Sequence, residues 1–159
     1  MADCIDLFRA LAVGLILLVT ATQSSGVDHA VYVRLVDARS GRPVPEKTVE
    51  VSWFVPHQQH PQTLRERADR DGVAVFHLTD PVPGQLSFDV KSGYWDSCSP
   101  GPYDSSEVLM TGVSKEGGRW AAKFPNVSDR FHPKQGEVFL FICHVSFGEW
   151  LREYFKGLE

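Results

Sequence analysis

Ala30-Val31-Tyr32-Val33-Arg34-Leu35-Val36-Asp37, then Ser40-Gly41-Arg42-Pro43-Val44-Pro45, then Val49-Glu50-Val51-Ser52-Trp53: this stretch decides how the chain folds. Val31, Val33 and Leu35 alternate with Tyr32 and Arg34, and Val49, Val51, Trp53 and Val55 alternate with Glu50 and Ser52. Successive side chains leave a strand on opposite faces, so period two with one apolar side predicts half-buried antiparallel strands. Between them Gly41 accepts a positive φ, while Pro43 and Pro45 hold φ at about −65° and bring no N–H to a ladder. The chain must therefore leave one strand before it starts the next. Strands over residues 30–37 and 47–55, joined as a first ribbon, are the expectation.

The same grammar continues downstream. Residues 63–68 alternate weakly and are polar, with Arg65 and Arg67 among them, which suits a sheet edge. Asp69-Arg70-Asp71-Gly72 predicts a tight hairpin into a strand over 73–78, and Asp80-Pro81-Val82-Pro83-Gly84 precedes another strand in which Leu86, Phe88 and Val90 share a face. Residues 92–106 are rich in Gly, Ser, Pro and Asp and read as a long loop, the kind of segment that is functional or tied down. Strand-like patterns follow over 107–113 and 120–124, the latter after the turn Lys115-Glu116-Gly117-Gly118, and then Asn126-Val127-Ser128 matches a glycosylation sequon. In the last strand, 137–145, Val138, Leu140 and Ile142 point one way and Phe139, Phe141 and Cys143 the other, so both faces call for burial. Ser146-Phe147-Gly148-Glu149 is a capping box. It predicts an amphipathic helix over 146–159, with Trp150, Leu151, Tyr154, Phe155 and Leu158 on one stripe, folded back over the second apolar face.

With 159 residues, 43% hydrophobic and 23% charged, the chain is expected to form one domain with a real core. A net charge of −4 and the lack of a Lys/Arg block argue against nucleic-acid binding. Residues 10–21 form an apolar run of about a dozen residues, too short to cross a bilayer and suited to a secretory signal. Val19-Thr20-Ala21 offers small residues for cleavage, although Asp3 and Asp6 offset Arg9 where such signals are usually positive. The organisation expected is a signal peptide over 1–21, a flexible mature start over 22–29, the sandwich over 30–145 and the helix over 146–159. Membrane contact is expected only through an uncleaved leader or that helix. Cleavage removes Cys4 and leaves Cys98 and Cys143, an even pair that favours a disulfide in an exported domain. Closing a loop of about 46 residues is worth on the order of 4 kcal/mol in the chain-entropy account. Two separate buried thiols are the alternative.

The run Val33-Arg34-Leu35-Val36-Asp37, Ser40-Gly41-Arg42-Pro43-Val44 and Val49-Glu50-Val51 resembles the opening of carboxypeptidase-regulatory-like domains. Asp69-Arg70-Asp71-Gly72-Val73-Ala74-Val75-Phe76 resembles a second signature of that group. Pro133-Lys134-Gln135-Gly136-Glu137-Val138-Phe139-Leu140-Phe141 is similar to the final strand of its bacterial exported members. The resemblance implies a transthyretin-like (prealbumin-like) sandwich, all-β, antiparallel and Greek-key, of about seven strands with the C-terminal helix added. It also implies a non-catalytic accessory, adhesion or ligand-binding module outside the cytoplasm.

Catalysis finds little support. The Tyr-Arg-Gly-Ser ending of transthyretin-like enzymes acting on a purine-derived substrate is replaced by Phe155-Lys156-Gly157-Leu158-Glu159, and there is no nucleophile elbow, phosphate loop or Cys-x-x-Cys. His57 and His60 sit three apart on a Pro-bounded loop, away from any helix that would aim both rings at one metal, so neither a metal nor another cofactor is expected. Tyr94, Trp95 and Tyr103 on the 92–106 loop are the candidate ligand-binding residues, since rigid amphipathic aromatics suit a sugar ring or a protein partner. The competing reading is that a Cys98–Cys143 bridge pins this loop and the aromatics pack beneath it. The expectation is a secreted or periplasmic, monomeric, non-enzymatic binding or structural module of a bacterial envelope, with a protein or glycan partner. A secreted hydrolase-like or metal-binding protein is the alternative.

Overall fold

Alternating strands with one apolar side bury that side by stacking two sheets face to face. The computed structural model describes residues 27–91, 95–97, 101–115, 126–146 and 148. Among them are nine strands, β1 (Asp28–Asp37), β2 (Thr48–Trp53), β3 (Gln62–Arg67), β4 (Val73–Thr79), β5 (Gln85–Lys91), β6 (Trp95–Ser97), β7 (Tyr103–Asp104), β8 (Val113–Ser114) and β9 (Glu137–His144). One short helix, α1 (Ser105–Met110), and a 3₁₀ turn at Ser128–Arg130 complete the elements described. The first sheet runs β4-β1-β9-β6, with β8 also on β9, and the second runs β3-β2-β5-β7. The protein is an all-β sandwich.

Its core lies where the alternation places it. Val31, Val33 and Leu35 of β1, Ala74, Phe76 and Leu78 of β4, and Val138, Leu140 and Ile142 of β9 pack with Val49 and Val51 of β2 and Leu86, Phe88 and Val90 of β5. Each such Val, Leu, Ile or Phe side chain contributes about 1.5–3 kcal/mol when fully buried. β9 is buried on its other face too, where Phe141 and Cys143 join Val36, Ala38, Val127 and Val145 in a second cluster, with Phe131 and Phe139 packed against it. The two-sided reading of that strand holds.

Pairing departs from expectation in several places. β1 and β2 form no ribbon: they lie in opposite sheets. The turn between them carries the chain across, with Pro43 bridged to Val36, the Val44 amide donating to Leu35 O at 3.0 Å, and the buried Val44 side chain plugging the gap. The sandwich is also not wholly antiparallel, because β1 and β9 run parallel from Tyr32↔Glu137 to Asp37↔Ile142 and β8 runs parallel to β9. Parallel pairs belong where both faces are covered, which β9 satisfies.

Asp69-Arg70-Asp71-Gly72 does turn the chain. Asp69 Oδ1 accepts from the Asp71 and Val73 amides, each at 2.9 Å, and Gly72 has φ +74. The strands it joins are nevertheless in different sheets, so it is a corner and not a hairpin. Gly72 O accepts from Leu35 N at 2.8 Å, which stitches the corner to β1.

Residues 107–113, read as a strand, instead supply most of α1. Asp104 caps it, accepting from the Ser106 and Glu107 amides, and this local bonding outweighs the weak strand pattern. The 92–106 segment likewise contributes β6 and β7, which brings the strand count to nine among the described residues. The leader over 1–21, residues 22–26, the 120–124 strand and the 146–159 helix, apart from Ser146 and Gly148, lie outside the described residues.

Candidate functional site

The sequence-predicted site residues do not converge. Tyr94 and Cys98 lie outside the described residues. Tyr103, in β7 opposite Leu86, is a core residue only 3% exposed, its ring 5.7 Å from that of Phe88, so no face is left for a ligand. Trp95 belongs to the other sheet, opposite His144 and edge-on to its ring at 5.6 Å. It is half-buried against the core, with Lys47 Nζ 5.6 Å from its ring centroid. His57 and His60 are both exposed, and Cys143 is buried. Among the described residues no group of three His, Cys, Asp or Glu side chains is placed to hold a metal ion.

A different region forms a concave site. In β2 the alternation sends Val49, Val51 and Trp53 toward the core, and in β3 their register partners Glu66, Leu64 and Gln62 share that face. All six residues of β3 are nonetheless exposed. The cause lies in the opposing sheet: β3 and β4 are edge strands joined by the corner at 69–72, with no ladder between them. The inner face of β3 therefore lies uncovered.

The resulting cleft, of about 610 Å³, is lined by residues 53–56, by Gln62 and Leu64, by the end of β4 from His77 to Thr79, and by residues 80–84. Trp53 is half-buried and Leu78 fully buried, while Leu64 (39% exposed) and Phe54 (75% exposed) stand open to water. Phe54 is the first residue past β2, which frees its ring from the ladder's alternation. Residues 83–84 are anchored on the start of α1, where the Ser105 hydroxyl donates to Pro83 O and the Ser105 amide to Gly84 O at 3.1 Å. This wall is fixed.

Two imidazole–carboxylate pairs border the cleft, His29 Nε2 with Asp80 Oδ1 at 3.2 Å and His77 Nδ1 with Asp28 Oδ2 at 2.8 Å. No Lys or Arg among the described residues lines it. A carboxylate only accepts hydrogen bonds, so the His77 contact puts the proton on Nδ1, and Nε2 of a neutral ring is left as an acceptor. Sequence reading missed this site because Leu64 read as part of a polar edge strand over 63–68 and Phe54 as part of the strand over 47–55, which ends at Trp53. The available signal was a large aromatic immediately beyond a strand whose neighbour is polar.

Elsewhere the buried acid is structural. Glu137 Oε1 accepts from Arg34 Nε at 3.0 Å and Nη2 at 2.8 Å, and Oε2 from the Lys134 amide at 3.0 Å. Burial pushes the Glu137 carboxyl up, but the Lys134 amide and the Arg34 guanidinium outweigh it and hold the group below its ordinary range.

Fold and site together define a class: a two-sheet β-sandwich open along one edge, with a mainly apolar cleft between its edge strands. No protein-family model and no curated protein matches the chain.

Proposed function

We propose that this domain is a non-enzymatic, extracytoplasmic binding module whose ligand occupies the cleft between β3 and β4, not the 92–106 loop. The observation that carries the reading is a concavity of about 610 Å³ beside a Phe54 ring that is 75% exposed. Small-ligand sites typically occupy about 300–1,000 Å³ and are mostly apolar with a few polar groups. Covering an exposed aromatic ring contributes about 1.5–3 kcal/mol, a sufficient reason for a ligand to settle there. Support for an extracytoplasmic location comes from the leader-like residues 1–21 and the resemblance to carboxypeptidase-regulatory-like domains.

Within this reading Cys98 and Cys143 form a disulfide. Cys143 lies opposite Asp96, two positions before Cys98 in the chain, across the antiparallel β6–β9 pair. Thiol titration of denatured, unreduced mature protein is expected to find neither thiol reactive, and two reactive thiols would exclude the bond.

The cleft is tested with a neutral apolar probe, 2-phenylethanol, added to isotopically labelled protein. Backbone resonances of residues 54–56, β3 and 80–84 are expected to shift together, and Phe54→Ala with Leu64→Ala to abolish the effect. Shifts scattered over the surface, or unchanged in the double variant, would mean that the cleft is not a binding site.

A further inference from the structure

We infer that the cleft selects a small organic cation with an apolar or aromatic body, such as an arylalkylamine, over neutral and anionic molecules of the same shape; this rests on the binding reading above. The argument is charge complementarity. Among the described residues that line the cleft, Asp80 is the only side chain that carries a full charge irrespective of imidazole protonation, and none is Lys or Arg. Its carboxylate is about half exposed (48%), and His29 meets Oδ1 while no donor among the described residues holds Oδ2. The nearby guanidiniums are committed elsewhere: Arg65 and Arg67 project from the opposite face of β3, where they pair with Glu50 at 2.7 Å and Glu46 at 3.3 Å.

The remaining polar surface points the same way. With Nδ1 of His77 engaged by Asp28, a neutral ring offers Nε2 as an acceptor, so an ammonium finds acceptors and an anion finds few donors. Trp53 and Phe54 supply aromatic faces, which attract cations through the ring quadrupole, Trp most strongly. A carboxylate ligand in the same position would meet Asp80 as a like charge, with no guanidinium or ammonium among the described lining residues to offset it.

Three near-isosteric probes test this on the mature protein at pH 8 and low ionic strength: phenethylamine, 2-phenylethanol and phenylacetate, titrated by NMR. The amine is expected to bind at least about fivefold more tightly than the alcohol, with the acid weakest, as befits a partly exposed charge. The gap should shrink in about 0.5 M salt, where exposed charges are screened. Asp80→Asn keeps a side-chain acceptor for His29 and should remove most of the amine's advantage over the alcohol. Equal binding of all three probes, or preference for the acid, overturns the charge selection but leaves the cleft a binding site. Failure of all three to bind overturns both. Should Asp80→Asn unfold, the salt dependence of the wild-type preference decides alone.

Discussion

Along one long edge of the sandwich the chain passes between the sheets repeatedly, from β5 to β6 and from β7 through α1 to β8; along the other, β3 and β4 meet at the corner at 69–72 and share no ladder. The first edge is close-packed. Val108 O of α1 accepts from the amides of both Gly112 and Gly136, and a Cβ on Gly112 would collide with Lys134 O and come within 2.8 Å of Pro133 Cβ. The second edge leaves Leu64 and Phe54 in water. The contrast teaches that a sandwich edge is sealed by segments that cross it, and that strand alternation alone does not close it.

The comparison breaks if the closed edge tolerates change. Gly112→Ala carries the largest expected effect: φ is +75 and the new methyl has no room, so a loss of about 2–4 kcal/mol is expected in urea unfolding. A loss below about 0.5 kcal/mol, the scale of neutral surface changes, would mean this edge is not tightly packed. Next comes Glu137→Gln, which removes the charge from the bonds to Arg34 and the Lys134 amide at the entry to β9, at about 1–2 kcal/mol near neutral pH.

Because the folded Glu137 carboxyl is held below its ordinary value of 4.5, its contribution is fully present above that pH and is lost as pH falls through the lowered folded value. Wild type should therefore lose more Tm than Glu137→Gln on going from pH 6 to 3. Parallel melting would remove the lock.

Asp104→Ala should lower Tm less, by uncapping α1. The Ser106 hydroxyl first, then the Glu107 and Ser106 amides, hold the Asp104 carboxyl below its ordinary 3.8. The cap is thus complete above that pH and weakens under stronger acid, which the helical signal in circular dichroism would follow. Smallest of all is Phe54→Ala, which should shift stability by no more than about 0.5 kcal/mol because the ring is already exposed, while weakening 2-phenylethanol binding. A large loss of stability there would make Phe54 part of the packing and erase the difference between the edges.

Much of the fold could be read from residue order because alternation reports which face a side chain occupies. β9 was legible since Val138, Leu140 and Ile142 on one side and Phe139, Phe141 and Cys143 on the other leave no polar face, and β3 since Arg65 and Arg67 suit an edge. Alternation does not report which strand lies alongside. Hence β1 and β2, and β3 and β4, were expected as pairs and fall in opposite sheets. α1 spans six residues, too few for a helical period, and its signal was the cap alone, Asp104 three places before Glu107. The cleft depends on β4 failing to cover the inner side of β3, a relation between distant segments that neither segment carries by itself.

β1 sits between β4 and β9, and Arg34 reaches a partner, Glu137, 103 positions further along the chain. During vectorial synthesis one rim of β1 therefore stays bare until almost the whole domain has emerged, an exposed template for wrong neighbours. Closure over such a separation is slow. A nascent chain of this design can complete its first sheet only after β9, the last strand described, has been made.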